Sequence, residues 1–119
     1  MPKIVELITS RSDRVTPATR LREVAAQMLT TGVSSVIVVD AGRAVGIITE
    51  RDILRLVQRH APPEQSAGDA MTSPVHTVPA DTDFRQAYRE AAKLDIRRIV
   101  VVDAAGLPDG GALVLERQF

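Results

Sequence analysis

The chain says nearly the same thing twice. It reads Pro17-Ala18-Thr19-Arg20-Leu21, an apolar helical stripe, then Gly32-Val33-Ser34-Ser35-Val36-Ile37-Val38-Val39-Asp40. It later reads Pro79-Ala80-Asp81-Thr82-Asp83-Phe84, a second stripe, then Asp95-Ile96-Arg97-Arg98-Ile99-Val100-Val101-Val102-Asp103. A phrase that returns after about 60 residues makes each copy a whole supersecondary unit. Two such units in 119 residues form one compact domain or two very small ones sharing a core. Related units packed together also create a cleft, so the repeat bears on function as well as fold.

Leu21, Val24, Ala25, Met28 and Leu29 recur at helical spacing, which predicts an amphipathic helix over Thr19–Thr31. Thr19 is the expected N-cap and Gly32 the stop. Ser35–Val39 is a continuous β-branched run and reads as a buried strand. Ala41-Gly42-Arg43 is a turn to a second, antiparallel strand over Ala44–Ile48. Glu50–Arg59 follows as a helix with Ile53, Leu54 and Val57 expected on its inner face. An extended lead-in near Val15-Thr16 precedes the unit. The second unit repeats this start, with a helix over Asp83–Leu94 presenting Phe84, Ala87, Tyr88 and Ala91, and a strand over Arg98–Val102. Between the units, two prolines keep the linker His60–Ser66 from being helical, and Ala67–Met71 is expected to form one short turn. After Asp103 the pattern loosens. Gly106 to Gly111 reads as a flexible turn, Ala112–Leu115 as the last strand, and the closing helix is missing or a stub.

Composition narrows the function. Hydrophobic residues make up 45% of the chain and are mostly aliphatic. Phe84, Tyr88 and Phe119 are the only aromatics, which argues against base-stacking surfaces. A formal net charge of zero supplies no basic field for nucleic acid or membrane. No apolar run approaches the roughly 20 residues of a membrane span, and Met1-Pro2-Lys3-Ile4 lacks a signal peptide's apolar stretch. The chain has no cysteine, which removes disulfides and thiolate chemistry. A cytoplasmic protein is expected. No serine, histidine and acid set suggests nucleophilic catalysis, and His60 and His76 lack the companions of a metal site. His60 reads as a solvated helix end, and His76 as an exposed strand residue near the cleft. No enzyme activity and no required cofactor are expected.

The phrases resemble CBS domains, the family named after cystathionine β-synthase, in the tandem arrangement called a Bateman module. In the first unit the likeness rests on Gly32–Asp40 followed by Gly46-Ile47-Ile48-Thr49-Glu50-Arg51-Asp52-Ile53. In the second it rests on Ala70-Met71-Thr72, Val75-His76-Thr77-Val78 and Ile96–Asp103. The likeness is to small bacterial pairs that stand alone or are fused to signalling enzymes, with a divergent or truncated second repeat. It implies an α+β fold of two βαββα repeats, 1–61 and 62–119, packed about a pseudo-twofold axis, the second lacking its closing helix. It implies regulatory binding of AMP, ADP, ATP or S-adenosylmethionine, association of pairs into homodimers through helix faces, and a protein effector. The alternative is a structural or dimerisation module with no ligand.

Thr49-Glu50-Arg51-Asp52 sits where a strand ends and a helix begins. Its plain reading is a capping arrangement, with hydroxyl and carboxylate each bonded to the other's backbone N–H. Its functional reading uses the same geometry, since a helix N-terminus suits phosphate and a carboxylate there accepts ribose hydroxyls. The resemblance implies that Asp52 grips the ribose and Thr49 sits by the sugar and phosphate. Arg97 and Arg98 are strand neighbours that point to opposite faces. The resemblance favours Arg97 for the cleft and a ligand phosphate, leaving Arg98 to solvent. Ile47 and Ile96, with Met71, Thr72 and Val75 of the lead-in, are the candidates for an adenine slot, although each also reads as plain core. The second unit has no hydroxyl-x-x-Asp at Leu115-Glu116-Arg117-Gln118, so one ligand per chain is expected, in the Thr49/Asp52 site.

Overall fold

The computed structural model describes residues 3–4 and 12–114. The first repeat runs β1 (Asp13–Val15), α1 (Leu21–Thr31), β2 (Ser35–Asp40), β3 (Arg43–Thr49) and α2 (Glu50–Gln58). A four-residue turn of helix, α3 (Ala67–Ala70), leads into the second repeat, β4 (His76–Pro79), α4 (Phe84–Lys93), β5 (Arg98–Val102) and β6 (Pro108–Val114). Each repeat holds a three-stranded sheet, ordered β1-β2-β3 and β4-β5-β6, with the first pair parallel and the second antiparallel. The fold is α+β, as expected. Among the described residues the second repeat has no closing helix, and Leu115–Gln118 lie outside them.

The repeats match in register as well as in order. Ser35 pairs with Thr49 at the end of one hairpin, and Arg98 pairs with Val114 at the end of the other. Both hairpins shift register one residue before the strand's last valine, between Val38 and Val39 and between Val101 and Val102. The second shift absorbs Asp109 and Gly110, and for this reason β6 begins at Pro108 rather than at Ala112. The segment from Gly106 to Gly111 is thus mostly strand; only the turn before Pro108 is left of the expected loop. Left-handed residues follow both first helices, Gly32 (φ 73°) as the C-cap of α1 and Asp95 (φ 56°) one residue past the cap of α4. Thr19 is not the cap of α1. Its hydroxyl instead accepts from the Thr16 N–H at 3.1 Å, and Arg20 is the cap residue, its N–H donating to Glu23 Oε1 at 3.2 Å.

Each helix-facing core is completed by a residue that precedes the other repeat. The first gathers Val15, Leu21, Val24, Met28, Val36, Val38 and Ile48, together with Ala67 from α3. The Ala67 N–H donates to the Thr19 carbonyl at 2.6 Å. The second gathers Val78, Ala87, Ala91, Ile99 and Val101, together with Ile4, whose N–H donates to the Thr82 carbonyl at 2.7 Å. Thr19 and Thr82, like Ala67 and Ile4, are counterparts in the doubled sequence. The segment before each repeat therefore seals the core of the other. The linker is anchored too, with the Leu21 N–H donating to Gln65 O and the Arg22 N–H to Pro63 O.

Alternate strand residues leave the helix-facing cores and meet at the seam between the sheets. Ile37, Ile47 and Val100 are fully buried yet belong to neither core, and β2 approaches β6 across the seam. On α2, Ile53 and Leu56 pack inward, whereas Leu54 and Val57 are 70% and 68% exposed. The inner face of α2 is therefore rotated from the expected one, and Asp52 shares it with Ile53 and Leu56.

Candidate functional site

The site begins at the β3–α2 junction. Thr49 caps the helix from extended backbone. Its hydroxyl accepts from the Asp52 N–H at 3.1 Å, and its own N–H donates to Asp52 Oδ2 at 2.9 Å. The Glu50 N–H is taken by the Ser34 carbonyl at 3.0 Å. The capping arrangement is present in full. A cap does not require what lies beyond it. Asp52 is buried, and its second oxygen faces Arg98 of the other repeat, with Oδ1 3.4 Å from Nη2. The two side chains are 9% and 12% exposed, so the pair is a charged contact closed inside the seam between the repeats. The Nε atom of Arg98 is buried without a hydrogen-bond partner.

This arrangement corrects the assignment of the two arginines. Arg97 is exposed, and Arg98 meets Asp52. Strand alternation explains it. Ile99 and Val101 face the helices, so Arg98 shares the opposite, seam-facing side with Val100. The counterpart of Arg98 in the first repeat is Ser35, half-buried beside Ser12, with the two hydroxyls in contact. The charged seam site is single on the described residues. Register makes Val114 the counterpart of Thr49.

A cavity of about 580 Å³ opens beside α2 and α3. It gathers Asp52, Met71 and Thr72 from the expected residues and adds Arg55, Arg59 and Gln65 to its lining. Val75 lies apart, in a cavity of about 540 Å³ where the β2–β3 and β5–β6 turns meet. Ile96 is half-buried before β5, and Ile47 is fully buried in the seam. The backbone groups of Thr72 are already occupied, since Thr72 and Ile47 exchange N–H···O bonds of 3.0 and 3.1 Å. His76 is not an exposed strand residue. It is half-buried, with Nε2 unbonded and 4.0 Å from Glu90.

Gly46 sets how closely the lead-in approaches. A Cβ at this position would collide with the Met71 side chain, including its Cβ at 3.0 Å. Gly46→Ala is expected to push Met71-Thr72 off β3 and to cost about 1–3 kcal/mol, the range for overpacking. Urea unfolding checks the loss. Slowed exchange of the Thr72 amide, relative to the parent, would contradict it.

A family model described as the CBS domain matches residues 4–59 and 67–110. The chain belongs to the CBS domain family. It is a tandem CBS pair, as the resemblance implied. An uncharacterized protein of Methanopyrus kandleri is 36% identical over 102 residues, covering 82% of this chain and 52% of that protein. The CBS pair thus spans about half the length of the curated relative it matches. Among solved structures, a CBS domain protein of Pyrobaculum aerophilum complexed with AMP is 26% identical, with a TM-score of 0.71 over 95% of this chain and 87% of that one. A CBS domain pair complexed with 5′-methylthioadenosine and S-adenosyl-L-methionine, 20% identical with a TM-score of 0.70 over 95% and 92% of the two chains, shares the fold. No helix among the described residues of the pair is long and apolar enough to cross a membrane.

Proposed function

We propose that this CBS pair is a regulatory module that binds an adenine nucleotide between its repeats and performs no chemistry. The observation that carries this reading is the Asp52–Arg98 contact. A carboxylate on the helix of one repeat and a guanidinium on the strand of the other meet in a seam that also buries the aliphatic side chains of Ile37, Ile47 and Val100. Few arrangements justify burying two charges there, and a ligand with hydroxyls and an anion uses both. In this reading Asp52 takes the ribose, Thr49 lies by the sugar, and Met71 and Thr72 border the base, with Ile47 and Ile96 as apolar support and Val75 outside the site. Arg98 takes the phosphate role first considered for Arg97. The AMP complex of the Pyrobaculum aerophilum relative supports the ligand class. Ligand bridging the repeats favours one mutual arrangement, and a protein effector in the cytoplasm reads it.

The test is thermal unfolding with AMP, ADP, ATP and S-adenosylmethionine in turn. A ligand at 100 times its Kd adds about 2.7 kcal/mol, which raises the Tm by roughly 8–14 °C for a domain of this size. Flat traces with all four overturn the reading.

A second reading, a dimerisation module, has its own observation. Leu29, Leu54 and Val57 are 86%, 70% and 68% exposed, and an apolar groove of about 350 Å³ runs between α1 and α2 past Met28, Leu29, Ile53 and Leu54. We expect this face to pair with a second copy, because contiguous apolar surface of this kind marks an interface. Sedimentation at tens of micromolar is expected to give a dimer. Leu54→Glu is expected to give a monomer with unchanged nucleotide binding. A wild-type monomer at those concentrations contradicts the expectation.

A further inference from the structure

The Asp52–Arg98 contact leaves one buried N–H without a partner. Asp52 Oδ2 accepts from the Thr49 N–H, and Oδ1 faces Arg98 Nη2. At 3.4 Å that second contact is long for a charge-assisted hydrogen bond, which settles at about 2.7–2.9 Å. Arg98 Nε is buried and unbonded. Nε and Nη2 form one edge of the guanidinium fork, the edge that takes a planar or tetrahedral anion through two parallel bonds. Among the described residues Arg98 therefore holds a nearly buried charge on one long contact, with the Nε of that edge of its fork unused.

We propose that the Asp52–Arg98 pair is a latch between the repeats that an occupant must exchange, so that the site admits nucleosides carrying a 5′-anion and rejects neutral ones. This rests on the reading that ribose binds at Asp52. Ribose hydroxyls compete with Arg98 for Oδ1. Once they succeed, a guanidinium only 12% exposed loses its counter-ion. Stranding one charge of a buried pair is among the more costly changes a protein can suffer. A 5′-phosphate removes that cost by taking the Nε–Nη2 edge. Adenosine and 5′-methylthioadenosine bring the same ribose and no anion, so they pay for breaking the latch and receive nothing for Arg98. Ligand binding thereby replaces one bond between the repeats with two, one from each side of the ligand. The first repeat carries Ser35 where the second carries Arg98, so the latch occurs once on the described residues.

The experiment is calorimetric titration of AMP, adenosine and 5′-methylthioadenosine into wild type, Arg98→Met and Arg98→Lys, joined to a urea-unfolding cycle of Asp52→Asn and Arg98→Met without ligand. Wild type is expected to favour AMP over adenosine by about 10- to 100-fold, the scale of hydrogen bonds to a charged group. Arg98→Met is expected to close that gap to within about 3-fold, from both sides: AMP weakens, and adenosine tightens because Asp52 is released. Arg98→Lys, which keeps the charge and loses the fork, is expected to fall between. In the ligand-free cycle the double variant is expected to lose less than the two single losses added. An additive cycle overturns the latch even if AMP binds. A coupled cycle with an AMP preference that survives Arg98→Met overturns the selectivity. A coupled cycle in which wild type binds no nucleotide overturns the nucleotide reading of the site and, with it, the selection by phosphate.

Discussion

Asp52→Ala is expected to lower the stability of the CBS pair by about 3 kcal/mol and to abolish measurable nucleotide binding. Two losses combine. The carboxylate accepts the Thr49 N–H at the start of α2, and removing a capping group costs about 1 kcal/mol. The larger loss comes from the other oxygen. Arg98 would remain in the seam without its carboxylate partner, and breaking a buried pair from one side costs about 3–5 kcal/mol. The 3.4 Å separation and residual exposure of the pair put this loss below that range, at about 2 kcal/mol, so that the two losses sum to about 3 kcal/mol. A cap alone would predict a third of this effect. The companion Thr49→Ala separates the two contributions, since it removes the hydroxyl bonded to the Asp52 N–H and leaves Arg98 paired. Thr49→Ala is expected to cost about 1 kcal/mol. Equal losses from the two substitutions, read from urea midpoints, would show that Arg98 contributes nothing to the role of Asp52. For a domain whose total stability is about 5–15 kcal/mol, the difference is large enough to read.

The part of the site that was legible in the sequence is the part built from local contacts. Thr49 and Asp52 are three residues apart at a strand-to-helix boundary, and such a spacing fixes their mutual geometry before any tertiary structure forms. The doubled phrase likewise carried the repeat architecture, because order and spacing survive when individual residues differ. Arg98 was not legible for a specific reason. A half-exposed strand announces its faces by alternating apolar and polar residues. The run Ile99-Val100-Val101-Val102 is apolar at every position and buried throughout, so it offers no phase by which to orient the arginine before it. The phase comes from tertiary packing: Ile99 and Val101 join the helix-facing core, and Val100 does not. The rotated face of α2 has the same origin. Leu54 and Val57 are as apolar as Ile53 and Leu56, so composition does not say which pair faces inward; in the fold Ile53 and Leu56 share the inner face with the buried Asp52. The early start of β6 was hidden by its composition, since Pro108, Gly110 and Gly111 read as loop. Pairing with β5 and a register shift of the kind seen in the first hairpin override that local preference.

Ile4→Ala is expected to destabilise the second repeat by about 2–5 kcal/mol, the range for emptying a fully buried isoleucine, although Ile4 lies at the opposite end of the chain from that repeat. Its side chain has no solvent exposure and shares a core with Val78, Ala87, Ala91, Ile99 and Val101. The counterparts of Ala87 and Ala91 in the doubled sequence are Val24 and Met28, and the counterpart of Ile4 is Ala67. Bulk is distributed oppositely in the two cores. At these matched positions the first core sets large helix residues against a small one on the sealing segment, and the second sets Ala87 and Ala91 against the large Ile4, while Phe84 and Tyr88 of α4 pack at its margin. Interiors pack at nearly constant density, so each arrangement fills one space in its own way. The exchange yields a prediction that a purely local role for the N-terminal segment would not. Ile4→Ala combined with Ala91→Met is expected to recover at least half of the lost stability, because the helix then supplies the volume from the other side. Ala67→Ile alone is expected to overpack the first core and to cost about 1–3 kcal/mol. Hydrogen exchange locates the effect. In Ile4→Ala the amides of β4, α4 and β5 should lose protection earlier than those of β1, α1 and β2. Loss confined to residues next to Ile4, with α4 unchanged, would mean that the segment lies on the second repeat without completing its core.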